Sequence, residues 1–403
     1  MSARRARGAL HGRAAFAGAV AACVVACAPQ PSTSPAETGT STNKDARARR
    51  DVAAEASAAA GGGARPSADT SIAPSGAPDA SAPERPEAAA EDAPTVGFEE
   101  VLAALFADRS SKEPIVEACP VTLPGDARVR CLYDRRYKSD ARAAGLAHEL
   151  FVKWHIVAGV EVAHTMDGGY RGMIRIEPAV PVGADRRHLE WVAGAIRDFD
   201  AFFGELERHR VARSHAGAGG GAGRSVLFSP SSPAPRPFRF QPITLRFMRS
   251  IAARTPAAYA HDWEVAYNFV GTLNVSADAV RETMFHELFH LNDAAHGGWS
   301  PGALGGVFDA VAKRCGVSIP CLAPYSPNDT IVRGGTYYPF QPGNGVVEYA
   351  AELALRFYRE QRAVLRKLPR AKAFKCGPPE NARAWAAIRD EFFAGVDAVP
   401  ACP

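Results

Sequence analysis

No two cysteines of this 403-residue chain stand in a CxxC pair, no internal repeat runs through it, and no methionine follows Met284. The first absence removes the usual spacing of a cysteine-held zinc, and the second excludes solenoids and propellers. Charge of either sign is not in excess: the net value is +4. With no recognisable nucleic-acid module, no nucleic-acid partner is expected. Between Ala28 and Pro94 large apolar residues are nearly missing, and Ala, Pro, Ser, Thr and Gly take their place. Such a segment cannot bury enough surface to offset the entropy of ordering. Residues 28–94 are therefore expected to be a flexible tether.

Residues 1–27 have the pattern of an export signal. Arg4, Arg5, Arg7 and Arg13 make a basic start, and Ala14 to Ala26 is an apolar stretch too short to remain as a membrane-spanning helix. Val24-Val25-Ala26-Cys27 resembles the lipobox of bacterial lipoproteins, which implies lipidation at Cys27 and a membrane anchor in the cell envelope. Ala28 after that cysteine resembles the outer-membrane sorting signal. An ordinary secretory peptide cut near Ala28 would leave the compartment unchanged. Apart from Cys23 and Cys27, six cysteines remain, an even number that suits disulfides in an exported chain. Proximity in sequence selects Cys119–Cys131, Cys315–Cys321 and Cys376–Cys402 from the fifteen connectivities open to six cysteines.

The chemistry concentrates in His286-Glu287-Leu288-Phe289-His290. On a helix, His286 and His290 share a face as an i, i+4 pair, with Glu287 about 100° round from His286. Two imidazoles can ligate zinc, which needs a third protein ligand and, for catalysis, keeps one position for water. Glu287 has the reach to act as general base on that water. The surrounding pattern predicts a helix over 277–292, capped by Ser276 or Asp278, with Met284, Leu288 and Leu291 opposite the histidines and Phe285 and Phe289 flanking them. The plain alternative is two buried histidines satisfied by hydrogen bonds.

A third ligand has two candidates. His296 completes a spacing similar to that of the metzincins, with Asp293 where that pattern has glycine, but metzincins also place a methionine beneath the metal, and none is available downstream. Glu348, the preferred candidate, lies on a segment whose Val346, Ala350, Leu353 and Phe357 form a helical apolar stripe. Glu348 and Glu352 share its other side at i, i+4, where like charges repel. A metal removes the conflict if Glu348 coordinates it and Glu352 accepts a hydrogen bond from a ligand imidazole. A solvated acidic face is the competing explanation.

HExxH followed by a glutamate on a second helix resembles the gluzincin pattern. In detail, HELFHLND with Glu348-Tyr-Ala-Ala-Glu352 is similar to the catalytic domains of anthrax lethal factor and its relatives. The resemblance covers these two motif helices. It implies a zincin-like fold, Zn2+ held by His286, His290 and Glu348, Glu287 as general base, and Asp293 as a supporting partner of a ligand. In that family a tyrosine upstream of the ligand glutamate can stabilise the oxyanion, which points to Tyr337 or Tyr338; otherwise these are aromatic loop residues packed on the body.

Residues 95–403 suffice for one α+β catalytic domain, with a small mixed or antiparallel sheet packed on the active-site helix and a mostly helical C-terminal half. Val101, Leu102, Leu105 and Phe106 predict an opening helix. Trp154 to Ala163 and Tyr170 to Pro178 read as strands joined around Asp167-Gly168-Gly169. A long helix spans Leu189 to Leu206, and a loop covers Ala216 to Pro237. Ile243 to Phe247 and Val265 to Phe269 read as further strands. Thr272 to Val275 is either a substrate-binding edge strand or an interior one. The remaining histidines are expected to be structural or at the surface. Arg356, Arg359, Arg362, Arg366, Lys367, Arg370, Lys372 and Lys375 form a basic stretch suited to a solvated face, or to an acidic partner or membrane surface.

These features together predict a lipid-anchored, zinc-dependent endopeptidase acting on peptide or protein substrates outside the cytoplasm, in the periplasm or at the surface. The alternatives are a catalytically silent zinc-binding or structural lipoprotein and a metal-dependent peptidoglycan amidase.

Overall fold

Helices form here where small and apolar residues recur at three- and four-residue steps, and strands where β-branched and aromatic residues alternate. The computed structural model describes residues 96–167, 172–217, 238–332 and 335–403. The expected signal, Cys27 and the tether lie outside the described residues. Helices α1 (Phe98–Leu105), α2 (Glu113–Ala118), α3 (Gly125–Arg136) and α4 (Ala141–Trp154) lead into strands β1 (Val157–Val160), β2 (His164–Asp167) and β3 (Met173–Pro178). The long α5 (Arg186–Gly217) precedes β4 (Thr244–Ile251), β5 (Ala258–His261) and β6 (Glu264–Asn268). The remainder is mostly helical: α6 (Ala277–Ala295), α7 (Trp299–Cys315), α8 (Ile319–Leu322), the short strands β7 (Ile331–Val332) and β8 (Thr336–Tyr337), then α9 (Val346–Leu365) and α10 (Pro379–Phe392).

The fold is mixed α/β, and β4 is the hub of its sheet. The hydrogen-bonded order is β2-β3-β4-β6-β5, with β1 also on β4. Strand β1 runs parallel to the first half of β4, Val157 opposite Thr244, and β3 runs antiparallel to its second half, Ile176 opposite Ser250. Leu245 and Phe247 of β4 bury against the helices, whereas Met248 joins Ile174, Ile176 and Ala266 in a small second core. Successive residues of a strand face opposite sides, so β4 serves both cores. Gly159 of β1 is required by contact, because a Cβ there would meet the Ala104 carbonyl oxygen at 2.4 Å.

Helix α6 is the centre of the helical layer. Met284, Phe285, Leu288 and Phe289 are fully buried, each contributing about 1.5–3 kcal/mol by the usual value for burying a large apolar side chain. Phe285 stacks on Tyr358 of α9 at 4.3 Å and on Phe238 at 5.0 Å. Phe199 of α5 meets both Phe285 and Tyr358 edge-on. The ring cluster fixes α6 against α5 and α9.

Several expectations need correction. The segment read as one strand, Trp154 to Ala163, is strand only over Val157–Val160: Trp154 ends α4, β1 pairs with β4, and β2, which pairs with β3, begins beyond it at His164. Strand β3 starts at Met173, and residues 168–171 of the expected turn lie outside the described residues. The helix carrying HELFH continues to Ala295, and none of its residues from Val280 to Asp293 is exposed, so its polar face, with Arg281, Glu282, His286 and His290, is partly covered as well. Helix α5 extends to Gly217, inside the stretch read as a loop, and residues 218–237 lie outside the described residues. Thr272 to Val275 is a turn, not a strand; Asn274 Nδ2 donates to the carbonyls of Ala257 and Asn268 and closes it.

The basic stretch is largely occupied within the molecule. Arg362 and Arg366 both bind Asp198 of α5, Arg356 pairs with Glu360, Arg359 with Glu282 and Lys375 with Asp397. Disulfides join Cys119 to Cys131, Cys315 to Cys321 and Cys376 to Cys402, as sequence proximity predicts.

Candidate metal centre

The Ser276 side chain accepts the Ala279 amide and starts α6, placing His286 and His290 one turn apart in its buried middle. Helix α9 begins at Val346, after Gly345, and carries Glu348 in its first turn and Glu352 in its second. The two helices pack so that these side chains meet. His286 Nε2 lies 3.1 Å from His290 Nε2 and 3.2 Å from Glu348 Oε2, and His290 Nε2 lies 3.6 Å from Glu348 Oε1.

These separations can be tested against a single ion. Ligand atoms held at about 2.0–2.1 Å by a tetrahedral centre stand about 3.3–3.4 Å apart. The three donor groups therefore have the spacing of one ligand set, and His286, His290 and Glu348 form the only such group among the described residues. A metal ion fits here.

The surrounding groups prepare the ligands. His286 Nδ1 lies 3.0 Å from Glu352 Oε1, and donating its proton there leaves the Nε2 lone pair facing His290 and Glu348. Glu352 is itself held, since Asn328 Nδ2 donates to its Oε2 at 2.7 Å and to its backbone carbonyl at 3.0 Å. Nothing in sequence pattern marks Asn328, which reaches the site from the segment after α8. Tyr338 donates its hydroxyl to Glu348 Oε2 at 2.6 Å.

Burial sets the proton affinities. Burial pushes the Glu287 carboxyl up to about 7, with Glu348 adding to the rise and His286 opposing it. It also lowers His290 to about 4, keeping that imidazole neutral. Burial would lower His286 too, but its contacts with Glu348 and Glu352 prevail and raise it well above its ordinary value. Glu348 is pulled down to about 2, because His286, His290 and Tyr338 outweigh the effect of burial. Two carboxylates on one buried helix face are thus balanced by imidazoles and hydrogen-bond donors, rather than being a solvated acidic face.

Other singled-out residues take different places. His296 caps α6, with Nδ1 at 2.6 Å from Glu391 Oε1 and its ring against Phe392. It is turned to α10. Asp293 accepts both the amide and the hydroxyl of Ser300, at 2.7 and 2.6 Å, and so anchors the start of α7. Tyr337 lies on β8 opposite Ile331, and Tyr338 is the tyrosine whose hydroxyl reaches the cluster. A cleft of about 160 Å³ opens beside the ligands, lined by Ala258, Leu273, Thr283, His286, Glu287 and Tyr338 among others.

No family model, curated protein or solved structure matches this chain.

Proposed function

We propose that the chain is a zinc-dependent endopeptidase of gluzincin type, with a zincin-like catalytic domain tethered by a lipid on Cys27 outside the cytoplasm. Two imidazoles and one carboxylate are a donor set suited to catalytic zinc. The observation that carries the reading is Glu287. It stands on the same helical turn as His286, is only 9 % exposed, and lines the cleft beside the ligands. A structural metal site needs no such base.

Zinc, when bound, would act as a Lewis acid and lower the pKa of water. Glu287, with its proton affinity near neutrality, takes the proton of the attacking water and delivers it to the leaving amine. The Tyr338 hydroxyl donates its one proton to the ligand Glu348, and it would serve the developing oxyanion only on giving up that bond. Glu352 holds His286 in the tautomer that coordination needs. Strand β5 ends the sheet order and brings Ala258 to the cleft, so an extended substrate can add alongside it in place of the expected Thr272 to Val275. Three disulfides accord with an oxidising compartment.

The test is cleavage of a mixed peptide library by the full chain and by Glu287→Gln. Loss of the general base should lower kcat by about 10²–10⁴-fold while bound metal is retained. Undiminished cleavage in the variant would refute the assigned base. Cleavage of purified cell walls but of no peptide would transfer the chemistry to a peptidoglycan amide.

A further inference from the structure

A second, larger cleft of about 770 Å³ is lined by Arg187, Arg249 and Arg254 together with Trp191, Phe269 and Asn274. Its lining contains three arginines and no carboxylate. It is separated from the metal cleft by a single layer of chain. Thr272 N donates to the Arg254 carbonyl at 3.0 Å and Asn274 Nδ2 to the Ala257 carbonyl at 2.8 Å. Ala257 and Leu273 line the metal cleft, while Arg254 and Asn274 line the larger one.

The cations here are not used up by the fold. Arg249 binds Asp185 at 2.8 Å. Arg187 lies over the Trp191 ring, 5.8 Å from its centroid, and Arg254 donates to the Val270 carbonyl; neither has an ion-pair partner among the described residues. This contrasts with α9, whose arginines are mostly paired. Concave walls concentrate the field of such charges, and the volume falls in the range of about 300–1,000 Å³ typical of ligand sites. Asn274, buried, also has a side-chain oxygen with no hydrogen-bond partner among the described residues.

We infer that this cleft binds an acidic segment of the peptide whose scissile bond enters the metal cleft, an inference that rests on the peptidase reading. Guanidinium groups recognise carboxylates through paired N–H donors. Trp191 and Phe269 supply apolar surface for the side-chain stems of a peptide, which a simple inorganic anion lacks. Selectivity then comes from charge several residues away from the reacting bond, carried by Arg187 and Arg254 at the rim.

Binding of matched labelled peptides, one with glutamates where the other has lysines, tests this by fluorescence anisotropy on full-length Glu287→Gln protein, so that no turnover intervenes. The glutamate peptide should bind about tenfold more tightly at low salt. The preference should shrink as salt is raised and vanish in Arg187→Ala/Arg254→Ala. Both substitutions are at exposed side chains, so folding is expected to survive, and unchanged thermal unfolding would verify it. Equal binding of the two peptides, or a preference that survives both substitutions, would overturn the inference. Should the glutamate peptide bind as expected yet remain uncut by the unsubstituted protein, the peptidase reading fails and the acidic-ligand site stands. If instead both peptides are cut with equal kcat/KM and bound equally, the cleft assignment fails and the peptidase reading stands.

Discussion

Glu287 is the residue whose environment departs furthest from what its neighbours in sequence suggest. Helix α6 packs it away from water, so the folded carboxyl holds its proton up to about pH 7, whereas an unfolded glutamate releases it near pH 4.3. Below that lower value both states are protonated and the group contributes nothing. As pH rises through the window the folded state alone retains the proton, so stability falls, by about 4 kcal/mol once pH exceeds 7. For metal-stripped protein, Glu287→Gln should therefore be more stable than the unsubstituted chain at pH 8 by about that amount and nearly equal to it at pH 4, read from urea unfolding midpoints. A constant difference between the two pH values would show that the carboxyl is not buried as described. The same low-dielectric setting explains Glu352 and Asn328. An imidazole in this position points its Nε2 at the ion only if Nδ1 has an acceptor, and Asn328 fixes that acceptor in turn.

At the scale of elements, the candidate metal site depends on the meeting of α6 and α9, and that meeting depends on aromatic packing more than on His286, His290 and Glu348. Phe285, fully buried between Phe238, Phe199 and Tyr358, should cost about 3–5 kcal/mol of stability as Phe285→Ala, measured by denaturant unfolding with metal removed. A cost under 1 kcal/mol would mean that the helices are held together by other contacts. Much of this level was legible in the sequence. HELFH and the stripe on α9 gave both helices because periodicity is local, and the i, i+4 acidic pair was informative because its repulsion demanded a partner. Where reading went astray, the missing information was non-local. Trp154 to Ala163 is apolar enough for one strand, but only Val157–Val160 finds a partner, in β4, while Trp154 closes α4. Thr272 to Val275 has strand-like residues, yet Asn274 captures two carbonyls and folds them into a turn. Asn328 carries no local pattern at all.

For the whole molecule, the arrangement separates support from chemistry. The sheet and the α5, α6 and α9 layer position the candidate ligands, the disulfides tie together segments such as those of Cys376 and Cys402, and the two clefts are lined by neighbouring residues of the turns that follow β4 and β6. The proposed hydrolysis requires that one ion be held jointly by α6 and α9. Elemental analysis of the purified full chain beside its Glu348→Ala and His296→Ala variants tests that requirement most directly. One zinc per chain in the unsubstituted and His296→Ala proteins, with zinc lost from Glu348→Ala, is the predicted result. Zinc retained by Glu348→Ala and lost from His296→Ala would contradict it.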